Sequence, residues 1–288
     1  MNPLALTSVV GALLSLAALL RRRQRSVKTY ALSGLSVASW GLLWFATGSP
    51  FAALGMSNLL DHMIAHVIVM FSVPMGLIAS GTLRSWAWIL PVGSRRRLMR
   101  WWYVRRRVRV PRLEANAVVA ALIMNAVMVS AHLPAVFDAV MSRQWAMDWF
   151  LEPAFLLSGL LFFHYLIPAW PRRVHTRLRF QLVMVVVTMI EMLIVAMAMS
   201  IFSKGNWYTT MSQPAMPGMP PMPGMGAMGV SAATAFHRQQ LAAGLLWICG
   251  DFWGVPCLVL IVRRLSKRDG SIFGVLERQS ERFSSSGA

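Results

Sequence analysis

The sequence predicts an all-α fold, a polytopic membrane bundle of seven transmembrane helices with its N-terminus outside and its C-terminus cytoplasmic. Three observations carry that expectation. Of 288 residues, 57% are hydrophobic and only 13% are charged, about half the ~25% charge content of soluble domains. The apolar residues fall into blocks long enough to cross a hydrocarbon core, for which roughly 20 residues suffice. The cationic residues gather between alternate blocks, the arrangement that sets orientation in a membrane.

Taken in order, the blocks are about 3–20, 30–47, 58–81, 114–137, 149–170, 179–203 and 239–262. The first has its basic run, RRRQR, after the apolar stretch, and no A-x-A site closes it. That polarity fits an uncleaved helix and not a signal peptide. Of the 28 Lys and Arg, 25 lie in segments 21–29, 82–113 and 171–179 and in the tail from Arg263. Only Arg143, Lys204 and Arg238 lie on the other side. Cationic loops stay cytoplasmic, which fixes the topology. Residues 1–262 then make one transmembrane unit, with 204–238 as an external segment and 263–288 as a basic cytoplasmic tail.

The net charge of +18 comes with no nucleic-acid-reading motif, so its partner is anionic lipid rather than nucleic acid. In segment 82–113, Trp86, Trp88, Trp101 and Trp102 alternate with arginines and are expected at headgroup level. Cys249 and Cys257 share one apolar block without a CxxC pattern and read as small buried hydrophobes.

The external segment reads GNWYTTMSQPAMPGMPPMPGMGAMGVSAATAFHRQ. Its Pro and Gly content excludes helix and sheet. Met216, Met219, Met222, Met225 and Met228 recur at every third residue. In a polyproline II conformation they would share one face, about 9 Å apart.

The chemistry-bearing residues converge on the external side. His62, His66 and Met70 recur four apart in the third block, with Asp61 and Met63 beside them; positions i, i+4 and i+8 share a helical face. His132 ends the fourth block and His237 precedes the seventh, both at the same expected level. Met192, Met197 and Met199 approach it from the sixth. Imidazole suits zinc, copper, iron or nickel, whereas thioether selects Cu(I), so the methionine array points to copper, as Cu(I). Zinc hydrolysis is disfavoured, because HMIAH lacks the glutamate of H-E-x-x-H; no nucleophile–base pair is present, and no enzyme is expected. Asp61 is placed to orient an imidazole. Glu191 and His164 lie at mid-membrane depth, where ionisable groups pair or form relays, and they are expected to pair with each other. Asn125 reads as interhelical glue.

The stretches NLLDHMIAHVIVMFSVPMGLIASG, SAHLPAVFDAVM, GNWYTTM and RQQLAAGLLW resemble, in order, the landmarks of the caa3-type cytochrome c oxidase assembly factor family, the CtaG-like bacterial membrane proteins. The resemblance runs from about Asn58 to Arg264. It implies a multi-pass protein of the bacterial cytoplasmic membrane that supports maturation of a haem–copper oxidase, by handling copper. Its partners would be oxidase subunits and an external copper donor protein. His62, Met63, His66, Met70, Pro74, His132 and Pro134 match family positions. Arg238 replaces the aspartate of the family's D-Q-Q, with His237 before it, and Met147 and Glu152 stand where the family often carries a histidine pair. A copper transporter or tolerance protein, and an accessory subunit without metal, are the alternative readings.

Overall fold

The computed structural model describes residues 2–22, 26–104, 110–167, 177–203, 205–210 and 232–269. The five loop methionines, Met216 to Met228, and the side chains of Trp101 and Trp102 lie outside the described residues. The described residues are mostly helical, with no strand among them. Its helices are α1 (Pro3–Leu20), α2 (Val27–Gly48), α3 (Pro50–Gly55), α4 (Leu59–Ser80), α5 (Thr82–Trp86) and α6 (Val92–Val104). They continue with α7 (Val110–His132), α8 (Pro134–Met141), α9 (Gln144–Leu166), α10 (Leu178–Phe202) and α11 (Ala232–Asp269).

Six of these, α1, α4, α7, α9, α10 and α11, are long and apolar enough to cross a membrane. The remaining expected block, 30–47, is present as α2, whose 22 residues suffice in length, but its many Ser, Thr and Gly residues lower its hydropathy below that of the six. Two other expectations need adjusting. Segment 82–113 is mostly helical, as α5 and α6. The last helix starts at Ala232, inside the segment from which Pro and Gly excluded helix, because its final residues AATAFHRQ contain neither.

Helices α4, α9, α7, α10 and α11 pack each on the next, and α11 closes on α4, giving a five-helix ring. α2 leans on α4, and α1 on α2. The α1–α2 pair is antiparallel: a side chain at Gly48 would meet Ala5, Gly11 lies under Trp40, and Ser15 bonds Ser36 at 2.9 Å. Ser36 continues to Thr82 at 2.8 Å, Thr82 to Ser80 at 2.8 Å, and Trp86 Nε1 donates to Ser15 at 3.1 Å. In a hydrocarbon environment such hydroxyls have no water to fall back on, so they satisfy one another. Asn125 meets its expectation by accepting from Thr188 at 2.8 Å, tying α7 to α10. Glu191 does not: no hydrogen bond reaches either of its buried oxygens, so the expected pairing with His164 is not formed.

Among the described residues, three π-helical turns occur in the spans; one ends α10 at Ala198–Phe202, and two lie inside, at Ile68–Ser72 in α4 and Met147–Leu151 in α9. Each of the two inner turns lies just before a proline, Pro74 or Pro153, whose missing N–H frees the carbonyl four residues earlier. For Pro74 that carbonyl belongs to Met70. Gly159 of α9 faces it so closely that a Cβ there would collide with the Met70 oxygen and the Pro74 ring. The α4–α9 contact therefore depends on a glycine at 159. Gly159→Ala should destabilise the bundle by about 1–3 kcal/mol, the usual cost of overpacking. Its thermal unfolding in detergent, beside the parent protein, checks this. An unchanged transition would mean that α9 is free to move off α4.

Candidate metal site at the histidine end of the bundle

The bundle has two chemically distinct ends. Arginines gather at one: Arg21 donates to the Ile89 carbonyl at 2.6 Å, Arg22 donates to Ser85 at 3.0 Å, and Arg95 stacks 4.2 Å over Trp88. At the other end, the start of α4 and the end of α7 bring three imidazoles together beneath the loop after α10.

His62 and His66 lie one turn apart on α4, which starts at Asn58, whose side chain caps the Leu60 N–H at 3.2 Å. Their ring centroids are 4.1 Å apart. His132, the last residue of α7, is within electrostatic range of both. All three are buried, at 2%, 6% and 6% exposure. α4 and α7 do not themselves form a packed pair; α7 packs on α9 and α10, and His132 reaches the site from the end of its helix.

The hydrogen bonding of these rings is uneven. His62 bonds the backbone of Gly55, and His132 Nδ1 bonds the Met128 carbonyl at 2.7 Å. Their Nε2 atoms have no partner, and neither nitrogen of His66 has one. Buried polar atoms are nearly always satisfied. Four orphaned imidazole nitrogens in one place are therefore an unusual concentration of free lone pairs or N–H groups. Their walls are aromatic: Phe137 lies edge-on to His62 at 5.2 Å, Phe155 is tilted over His66 at 4.5 Å, and Tyr208 stacks on Phe137 at 3.8 Å.

The other residues singled out from the sequence are dispersed around this group. Met63 and Met70 are buried on α4, but the π turn widens the helix between His66 and Met70, so the stripe is not a straight i+4 row. Met192 and Met199 are fully buried on α10. Asp61 accepts from Asn58 at 2.8 Å and forms no bond to an imidazole. His237 is exposed on α11 and outside the buried group. Arg238 reaches back to the Ser57 carbonyl at 3.4 Å. Cys249 and Cys257 are buried free thiols, as expected. Among the described residues, no three His, Cys, Asp or Glu side chains form a group that could by themselves hold a metal ion.

Over the imidazoles lies segment 205–210, held by residues that sequence reasoning passed over. Gln239, 2% exposed, accepts from the Trp207 N–H and donates to Met199 O at 2.8 Å and Ser203 Oγ at 3.0 Å. Trp207 Nε1 and the Tyr208 hydroxyl donate to the His132 carbonyl at 3.1 and 3.4 Å. Asp138 takes four bonds from Thr209 and Thr210, two through hydroxyls at 2.6 Å and two through N–H groups at 3.2 and 3.0 Å. Asn2, the cap of α1, bonds Glu152 at 2.7 Å and Asp148 at 3.2 Å, pinning α1 to the same end of α9. The signal for these residues was the polar character of HLPAVFD and RQQ at helix ends.

The order of landmarks along the chain now has a spatial meaning: HMIAH, HLPAVFD, NWYTT and RQQ all meet at this one site. The family of cytochrome c oxidase caa3 assembly factors matches residues 12–268. The chain belongs to that family. Comparison with curated proteins and with solved structures yields no match. As a caa3 oxidase assembly factor, the chain is a multi-pass helical membrane protein that serves oxidase components. Its four landmarks build the imidazole group (His62, His66, His132), the helix cap above it (Asn58) and the two clamps on the covering segment (Asp138, Gln239).

The clamp is pH-sensitive. Burial would raise the Asp138 pKa, but the four bonds from Thr209 and Thr210 outweigh it and hold the group below its ordinary value. A depressed folded-state pKa gives stability that is fully present above the ordinary carboxylate pKa, about 3.9, and is lost as pH falls through the lower folded value. Tyr208 is shifted upward, by burial and then by the Asp138 charge, so its hydroxyl remains a donor. Backbone amide exchange of residues 207–210 should stay slow down to about pH 4 and accelerate on further acidification. In Asp138→Asn, exchange should be fast at neutral pH and lose that acid transition. Equal protection in the two proteins would remove Asp138 as the clamp.

Proposed function

We propose that this assembly factor handles copper for a haem–copper oxidase, with His62, His66 and His132 as its holding site and copper as cargo. The observation that carries the reading is the set of four unpartnered, buried imidazole nitrogens. Zinc sites are usually closed by four ligands, whereas Cu(I) takes imidazole together with soft thioether. Met63 and Met70 on α4 and Met199 on α10 are the buried thioethers nearest in sequence or level. Tyr208 already donates to Met199 Sδ at 3.8 Å, which places that sulfur under the covering segment. Few, soft ligands suit a protein that must release its metal.

In this reading the factor is an accessory and not a catalyst. The histidine end faces outward, as the charge distribution predicts. The array Met216, Met219, Met222, Met225 and Met228 begins six residues after Thr210, and it would collect Cu(I) weakly from an external donor before the imidazoles take it. The transporter alternative is disfavoured by what lies beneath. Trp253 stacks on Phe71 at 5.1 Å and meets Phe162 and Phe163 at 5.7 and 5.9 Å, closing the ring below the histidines with aromatic carbon.

The decisive measurement is the metal content of the oxidase. Purified from cells carrying only His62→Ala/His66→Ala, it should contain haem and lack copper; a full copper complement would refute the assignment. In the purified factor, replacing His62, His66 and His132 together should weaken Cu(I) binding by at least about 100-fold, as expected when ligands worth ~3 kcal/mol are lost. Unchanged affinity would move the holding site elsewhere. Deleting residues 211–229 should slow loading at limiting copper while leaving the affinity of the imidazole site intact. Loading at the parental rate would reduce that segment to a linker.

A further inference from the structure

α11 packs on α4 and α10 with one face. Its opposite face carries Leu241, Gly244, Ile248, Asp251, Val255, Val259 and Val262, spaced three or four residues apart. Ile248 is 68% and Val259 58% exposed, a side chain at Gly244 would meet nothing within 4 Å, and Asp251 is exposed as well. The span runs Ala233–Ser266, so Asp251 sits near mid-depth, on the surface that the bundle turns to lipid. No hydrogen bond or ion pair holds it among the described residues. Ionisable groups at that depth are among the costliest a membrane helix can carry, and they normally face the bundle interior. This one faces out.

A second acceptor lies beside it. Pro256 interrupts α11 and is exposed on the same side. Its missing N–H leaves the Phe252 carbonyl without its helical partner. The outer face thus offers a carboxylate and a carbonyl that lacks its helical partner, with the indole N–H of exposed Trp247 as the polar donor nearest along the helix, and no cation. The three/four spacing is that of helix–helix seams, in which a single polar position selects the partner.

We propose that this face is the docking surface for a transmembrane helix of a partner protein that carries a basic residue at mid-depth. Arg, Lys or His would supply the donors that Asp251 and the Phe252 carbonyl lack. A second copy of this chain is the weaker match, because a twofold contact would set Asp251 against Asp251. The proposal is independent of the copper reading, since docking needs no metal.

The test uses the full-length protein in native membranes of cells that express the oxidase. A benzophenone amino acid replaces Ile248, and a control carries it at Ile190 on the lipid face of α10. Irradiation should give a protein adduct from 248 and none from 190. Mass spectrometry should place the crosslink on a transmembrane segment bearing Arg, Lys or His. Asp251→Leu should lower adduct yield at least tenfold, and Asp251→Glu should keep it. Asp251→Lys should lose the adduct and regain it when the partner's basic residue is changed to Asp, a rescue that a folding defect would not give. Adducts with lipid alone, with a second copy, or with a segment lacking a basic residue would overturn the proposal, as would a yield indifferent to Asp251.

Discussion

Within hydrocarbon, a backbone or side-chain polar group must find its partner inside the protein, and that constraint organises this bundle. It explains the hydroxyl chain from Ser15 through Ser36 and Thr82 to Ser80, and the Thr188–Asn125 bond between α10 and α7. It also explains why two prolines are tolerated. The π turns before Pro74 and Pro153 redistribute the freed carbonyls, and at Met70 a glycine on the facing helix leaves room for the exposed oxygen. Each of these contacts is local, but together they fix α4 against α2 and α9, and with it the height at which His62 and His66 stand.

Against that background the exceptions are informative, and they concentrate on the imidazoles. The imidazoles of His62, His66 and His132 keep nitrogens open although they are buried. The same end of the bundle is unusually well bonded elsewhere: Gln239, Asp138 and the His132 carbonyl together hold segment 205–210 in place. A scaffold so heavily bonded beside four open imidazole nitrogens fits a site whose lone pairs are kept for something else. Glu191 on α10 is also unsatisfied, with no hydrogen bond to either carboxylate oxygen among the described residues.

How much of this was legible in the sequence depends on the kind of signal. Hydropathy blocks gave the spans closely, as at 58–81 against Leu59–Ser80, because length and apolarity are properties of a segment by itself. The i, i+4 spacing gave the His62–His66 pair for the same reason. His237 was misplaced because level along the membrane was inferred while rotation about α11 was not, and a difference of two residues separates exposed His237 from buried Gln239. Asp61 was expected to orient an imidazole, but its nearest donor is the cap residue of its own helix, Asn58. Asp251 escaped notice because one carboxylate hardly lowers the hydropathy of a long span; only the packing of α11 reveals which way it points.

α11 connects the imidazole end of the bundle to its outer surface. Its inner face carries Gln239, which holds the segment covering the imidazoles, and Trp253, which closes the ring beneath them. Its outer face carries Asp251, one turn from Trp247 and Val255. A helix seated on the outer face would bear on a rod that also shapes the imidazole site, without any contact to the histidines themselves. In the copper reading proposed above, a metal held by few ligands would leave once those ligands shift, and α11 would then be the element through which a docked helix reaches the imidazoles. That coupling requires no movement of α4, whose close fit to α9 at Gly159 leaves it little freedom to move.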